Sequence, residues 1–291
     1  MRFGVNLGLL HPAVWTDVAV AADELGYESV WIPEHLVFTT DMAASRYPGT
    51  PDGQPPVPPE TPLFDAPVFL SAIAARTQQV LLGTYVYLFG LRHPFISARA
   101  FGTLDWLSGG RAIIGVGAGW LEGEWRAVGL DFASRGRRLD EAIDITKRLW
   151  TEPVVEHAGE FYAFEKVCFE PKPISRPHPP ILAGGEGKRS LRRAVERCQG
   201  WISMPHTLET ATPQVNRLRQ LLDAADRPPE GFQITVSAFE ALPEQVADFE
   251  KLGVHRLIVR PATRSRLAVD QLAEFATRYG ITREERASGE A

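Results

Sequence analysis

The feature that most constrains this chain is its rhythm. Eight short apolar runs alternate with segments of helical spacing. The runs are Phe3 to Leu7, Ser29 to Pro33, Val80 to Tyr87, Ala112 to Val116, Ile181 to Ala183, Gly200 to Met204, Phe232 to Ala238 and Arg256 to Arg260. They are continuously apolar rather than alternating, as strands buried on both faces must be. Helical segments are predicted at 14–25, from Asp65 onward, and at 94–107, 139–150, 188–198, 208–225, 243–252 and 268–279. Val14, Val18, Ala22 and Leu25 share one face, and Gly26 follows as a stop. Asp65-Ala66-Pro67 reads as an N-cap with proline in the first turn. Eight β units, each with a helical partner, satisfy a closed (β/α)8 barrel; a doubly wound open sheet is the alternative. Within the α/β class we read a single-domain TIM barrel covering 1–291, with 282–291 as a flexible tail.

Two segments break the rhythm. Tyr47 to Pro62 carries seven prolines, which exclude helix and central strand. Following strand two, it belongs at the C-terminal mouth of a barrel, as a lid or pocket wall, or else as a passive surface loop. Val154 to Phe164, centred on Ala158-Gly159, predicts a small hairpin after the helix that follows strand four.

Composition narrows the function classes. The chain has 291 residues, with 44% hydrophobic and 23% charged. That is ordinary globular composition. A net charge of −5 argues against nucleic acid as a partner. No run approaches the roughly 18 apolar residues of a membrane span, and the N-terminus lacks a signal pattern. Cys168 and Cys198 fit no redox or zinc spacing and read as buried free thiols in a reducing cytosol. We expect a cytoplasmic protein with a small-molecule substrate.

Several motifs fail on inspection. Gly115-Val116-Gly117-Ala118-Gly119 suggests a dinucleotide fingerprint, but Trp120 and Glu122 occupy the positions that need glycine. Gly187-Lys188 is no P-loop, because Leu182 and Arg189 stand at required positions. The seven histidines form no H-E-x-x-H pair, so no metal site is expected. There is no G-x-S-x-G elbow.

Three places remain, all at the C-terminal ends of predicted strands. Glu34-His35 sets a carboxylate beside an imidazole, which titrates near pH 6.5 and can move a proton. Gly184, Gly185 and Gly187 run into a helix that begins with Lys188 and Arg189. Glycine lets backbone N–H groups approach an oxyanion, the helix start adds partial positive charge, and the two cations add full charge. This reads as a phosphate cradle, with a tight strand–helix turn as the alternative. Gly117-Ala118-Gly119 leaves room for a flat ring or its tail, or permits a tight turn.

Taken in order, the segments FGVNL, AADELGYESVWIPEH, LLGTYV, LDWLSGGRAIIGVGAGW, RGRRLDEAIDITKRLWTEP, HAGEFYAFEKVCFEPKPISRPHPPILAGG and GWISM resemble the bacterial-luciferase-like superfamily of flavin and deazaflavin oxidoreductases. The Pro-rich segment and SGGR…GVGAGWL resemble most the branch that uses coenzyme F420. The resemblance implies a (β/α)8 barrel with a tricyclic cofactor at its mouth and a homodimer. It implies that His35 lies beside the ring, that Glu34 contacts the cofactor, and that the Tyr85–Val86 bond is a cis peptide behind the ring. It also implies cofactor contacts from Asn6, Thr84, Tyr85, Val86, Gly117, Ala118, Gly119, Gly184, Gly185, Gly187, Lys188 and Arg189. Two departures matter. Trp120 stands where F420-dependent sugar-phosphate dehydrogenases carry a catalytic Glu, and Ala118 stands where the luciferase subunit carries a phosphate-binding Arg. The leading expectation is hydride transfer at C5 of F420, with His35 moving the proton and Glu34 orienting His35 or the cofactor. The alternatives are an FMN-dependent monooxygenase, sheltered by Trp15, Tyr85, Tyr87 and Trp120, and a non-catalytic cofactor-binding barrel.

Overall fold

A computed structural model describes residues 1–283. Its strands β1 (Arg2–Asn6), β2 (Ser29–Ile32), β3 (Leu81–Thr84), β4 (Ala112–Val116), β7 (Ile181–Gly184), β8 (Gly200–Pro205), β9 (Gln233–Ser237) and β10 (Arg256–Val259) close into one parallel barrel. The order around it is β1-β10-β9-β8-β7-β4-β3-β2. Strands β5 (Val155–Ala158) and β6 (Ala163–Val167) form the separate hairpin. The helices are α1 (Trp15–Leu25), α2 (Ala66–Ala74), α3 (Pro94–Ser108), α4 (Glu122–Ala127), α5 (Arg135–Thr151), α6 (Lys188–Arg197), α7 (Leu208–Ala224), α8 (Val246–Lys251) and α9 (Ala268–Tyr279). The closed barrel excludes the open sheet.

Strand parity explains why the apolar runs are unbroken. Side chains of one parity fill the interior, where Trp31, Ile113, Leu182, Ile202 and Ile258 pack together; the other parity faces the helices. Trp31 is fully buried, and glycines on both neighbouring strands admit it. A Cβ on Gly4 would lie 2.5 Å from the indole, and one on Gly83 2.3 Å. Below it Arg256 plugs the barrel, pairing with Glu28 through Nε at 2.6 Å and donating to Thr235 Oγ1 at 3.0 Å.

Several boundaries move from the sequence reading. Pro33 lacks an N–H, so the β2 ladder ends at Ile32. The third run does not stay in strand to Tyr87. Regular pairing stops at Thr84, Tyr85–Val86 is cis, and Tyr87 rejoins the sheet by a bridge to Val116. The hairpin turns at 159–162, where Gly159 N donates to Tyr162 O at 2.9 Å, not at Ala158-Gly159. Helix α4 was not anticipated. Cys198 is buried as expected, but Cys168, just after β6, is exposed. Of the expected tail, the Thr282 and Arg283 backbone lies against Gly26; 284–291 fall outside the described residues. Asp65 does cap α2, accepting from Val68 N at 3.1 Å. No helix among the described residues is long and apolar enough to cross a membrane.

The long β2–α2 connection, 33–65, lies across the mouth. Its Ser45 Oγ accepts from Glu122 N at 3.0 Å, Thr39 packs on Gly123 of α4, and Gly49 packs on Met204 of β8. The connection is thus packed on α4 and β8 rather than standing free of the barrel.

Candidate active site

Adjacent residues of an extended chain point to opposite sides, so Glu34 and His35 separate. Glu34, 3% exposed, turns into the wall. Its carboxylate accepts from Leu88 N at 3.1 Å and from Arg92 Nη2 at 2.6 Å, and the Arg92 guanidinium lies over the Tyr87 ring. Burial raises the Glu34 pKa above the ordinary carboxylate value, although the Arg92 charge opposes it. Glu34 therefore does not orient His35; that expectation is corrected.

The partner of His35 is Glu124 on α4, which is fully buried. Its Oε2 lies 2.8 Å from His35 Nδ1, and its Oε1 accepts from Leu36 N at 2.6 Å. A carboxylate can only accept, so Nδ1 carries a proton. Nε2 is left as the nitrogen that can exchange a proton with a bound molecule. The His35 ring meets Phe38 at 4.8 Å and Trp120 at 5.9 Å, and Tyr47 from the β2–α2 connection meets Trp120 at 5.1 Å. These aromatics make the apolar side of the mouth. Trp15 and Tyr87 do not belong to it. Trp15 packs on Phe64 and Phe69, and Tyr87 on Phe89 and Phe101, outside the barrel.

Tyr85 does face the mouth. Its hydroxyl donates to Ser203 O at 2.8 Å, and burial raises its pKa. Val86 fills the space between the glycines of neighbouring strands. A Cβ on Gly117 would sit 2.4 Å from Val86 Cγ2, and one on Gly184 3.0 Å from Cγ1. At Gly119 the same direction meets Trp125 and Leu88. The room expected for a ring at Gly117 and Gly119 is thus taken by protein side chains; Ala118 between them is half-buried. Thr84 is fully buried and its hydroxyl is committed to Gly115 O at 2.8 Å, so it offers no side-chain contact. Asn6 ends β1 with its Oδ1 accepting from Gly8 N at 2.8 Å.

The glycine cluster leads from β7 into the uncapped start of α6. Gly185 has φ +97°, which favours glycine. Its carbonyl accepts from Trp201 Nε1 at 2.8 Å. Gly187 is the N-cap of α6, no side chain caps that helix, and a Cβ there would meet nothing within 4 Å. Ser190 N donates back to Gly187 O at 2.9 Å, so the N–H groups that open outward are those of Lys188 and Arg189. Lys188 and Arg189 are exposed and have no ion-pair partner among the described residues. Burial first, and then the Arg189 charge, lowers the pKa of Arg135 on α5. Arg135 thus brings a third cation to the start of α6. The one acid in the loop, Glu186, is turned away: its Oε1 accepts from Met204 N at 3.1 Å and lies 2.5 Å from His206 Nε2.

Glu124, Arg135 and the Glu186–His206 pair escaped the sequence reading. An acid on a six-residue helix carries no periodic signal, and these partners lie on separate elements. Among the described residues, no group of three or more His, Cys, Asp or Glu could hold a metal.

Residues 8–288 match the family of luciferase-like monooxygenases. An uncharacterised protein of Mycobacterium tuberculosis is 32% identical over 263 residues, 89% of this chain and 88% of that one. An F420-dependent glucose-6-phosphate dehydrogenase of Kineococcus radiotolerans is 31% identical over 285 residues, 90% and 78% of the two chains. An FMNH2-dependent dimethylsulfone monooxygenase of Pseudomonas putida is 35% identical over 130 residues, 43% and 36%. Among solved structures, an F420-dependent secondary alcohol dehydrogenase in complex with an F420-acetone adduct has the same fold, with a TM-score of 0.76 at 16% identity over 97% and 99% of the chains.

Proposed function

The chain belongs to the luciferase-like monooxygenase family, and on that premise we propose that it is an oxidoreductase using coenzyme F420 to move a hydride to or from a small organic substrate. The observation that carries this reading is the uncapped start of α6, opening beside Lys188, Arg189 and Arg135 at the same mouth as His35. That cradle suits the phosphate of a cofactor tail. When bound, such a deazaflavin supplies hydride chemistry at C5.

The chain supplies the rest. Backbone N–H groups of Gly187, Lys188 and Arg189 hold the anionic tail. Gly184 and Gly185 keep that turn open. Tyr85, Val86, Asn6 and the backbone of Gly117 to Gly119 would hold the ring, and Glu34 with Arg92 stiffens the wall. His35 Nε2 accepts or returns the proton that accompanies the hydride, with Glu124 fixing the tautomer. Phe38, Tyr47 and Trp120 exclude water. With Trp120 beside His35, in place of an acid, sugar-phosphate oxidation is not the proposed reaction.

The similarity to an FMNH2-dependent monooxygenase over 130 residues favours a second reading, in which FMN occupies the same mouth and oxygen is inserted. Parallel titrations of the purified protein separate the two. We expect F420 to bind at least tenfold more tightly than FMN, and His35→Ala to keep that affinity while turnover falls about 10²-fold or more. Tight FMN binding without F420 binding, with O2 consumed stoichiometrically, would replace the first reading by the second.

The proposal includes a homodimer and a cytoplasmic location. Val68, Ile96 and Leu107, which are 70%, 59% and 63% exposed, give α2 and α3 an apolar outer surface. Light scattering should give twice the 32.2 kDa of one chain; a monomer mass would refute the dimer.

A further inference from the structure

The contacts proposed above leave β9 and β10 without a chemical task. On β10, Arg256 and Ile258 point into the barrel. The Arg256 guanidinium lies 5.5 Å from the Trp31 ring centroid, and Ile258 packs in the interior beside Trp31. Leu257 and Val259 face the helices. Arg260 follows with interior parity. Four residues at about 3.3 Å each raise it about 13 Å above the Arg256 plug, to the level of the mouth. Its guanidinium lies 5.9 Å from the Phe239 ring centroid, and Phe239 has the same parity after β9.

Three further observations bear on what Arg260 does there. It is half-buried and has no ion-pair partner among the described residues. By contrast, the buried Arg193 and Arg256 and the half-buried Arg92 pair with carboxylates, and the buried Arg111 donates to Thr77 Oγ1 and backbone carbonyls. The uppermost inward positions on the other strands are uncharged: glycine on β4 and β7, proline after β2, and Asn6, Tyr85, Met204 and Ser237 elsewhere. Finally, β10 and β2 both flank β1, so Arg260 and His35 lie two strands apart on one rim.

We propose that Arg260 is a specificity residue that binds a carboxylate of the substrate and so directs the substrate's reacting carbon toward His35. A guanidinium held partly out of water, steadied against a ring and lacking a protein carboxylate, recovers its lost hydration when an anion arrives. A fork of N–H donors matches the two oxygens of a carboxylate. One cation among uncharged neighbours suits a singly charged group better than a phosphate. The inference rests on the cofactor reading above, since it assigns the substrate side of that mouth.

The test uses the full chain loaded with whichever of F420 and FMN it binds, titrated calorimetrically with acetate, benzoate and cinnamate, the matching alcohols, and methyl phosphate. We expect at least one carboxylate to bind at least tenfold more tightly than its alcohol. Arg260→Gln should abolish that preference, Arg260→Lys should restore part of it, and cofactor affinity should be unchanged. In the unaltered chain, bound carboxylate should slow phenylglyoxal modification of Arg260, read by peptide mass spectrometry. Equal affinity for every carboxylate and its alcohol, preference for methyl phosphate, or no protection of Arg260 would overturn the proposal. So would an Arg260→Gln variant that loses cofactor affinity but keeps the carboxylate preference. Failure of the wild-type chain to bind either cofactor would sink the cofactor reading instead, and is measured separately.

Discussion

Replacing Glu124 tests the logic of the site because its two oxygens have separate tasks. Oε1 accepts from Leu36 N at 2.6 Å and Oε2 meets His35 Nδ1 at 2.8 Å, with the side chain wholly out of water. In Glu124→Gln the amide oxygen must stay on Leu36 N, because an NH2 group there would face another donor. The NH2 then faces Nδ1 and forces the proton of a neutral His35 onto Nε2. Two charge-assisted bonds become neutral ones, at a cost of about 1–2 kcal/mol. Glu124→Ala removes both acceptors and leaves Leu36 N and His35 unpaired, at a cost of about 3–5 kcal/mol. Urea unfolding measures the stabilities, and long-range 1H–15N NMR at pH 7.5 reads the tautomer. We expect the His35 proton on Nδ1 in the wild type and on Nε2 in Glu124→Gln, with turnover reduced but cofactor affinity kept. The same tautomer in both proteins, or a Glu124→Ala variant as stable as the wild type, would rule out Glu124 as the partner of His35.

Removing either cation at the start of α6, Lys188→Ala or Arg189→Ala, should weaken cofactor binding about tenfold, or about 1.4 kcal/mol per lost contact. Unchanged dissociation constants in fluorescence titrations would remove the cradle assignment. Gly117→Ala drives a methyl group into Val86 and should cost about 1–3 kcal/mol, while adding Val86→Ala should recover much of it; thermal unfolding of the pair shows whether the clash is the cause. Burial lowers the pKa values of His178 and His255, and the charges of Arg2 and Arg256 add to the effect at His255. Above about pH 6.5, the unfolded value, both are neutral in both states and their contribution is fully present. Below it the unfolded chain takes up protons the native one refuses, so stability falls with pH. Calorimetry from pH 7.5 to 5.5 should show a falling Tm. His255→Asn, which keeps an acceptor for Ile234 N but does not titrate, should flatten that slope.

The barrel was legible because burial on both faces writes itself into consecutive residues. Runs such as Ala112–Val116 and Ile181–Gly184 carry no polar position at all. The turn into α6 was legible because glycines followed by Lys188 and Arg189 name a turn and a helix start within one segment. What the sequence hid are contacts between separate elements. Glu34 and His35 are neighbours in sequence, yet strand geometry turns them apart, and the acid that serves His35 comes from 89 residues away. Gly117 looks like room for a ligand until the chain after β3 brings Val86 against it. Parity along β10 was readable from the start, but its meaning at Arg260 needed the barrel's inside and outside to be known.

In the proposed function one mouth holds the cofactor's anionic tail on α6 and its reactive ring at His35. A crystal structure of the chain soaked with F420 tests this most directly. The tail phosphate should bond to the backbone N–H groups of Gly187 to Arg189, and the ring should lodge against Tyr85 and Val86 with His35 Nε2 at its edge. A phosphate bound elsewhere, or a ring outside the barrel mouth, would contradict it.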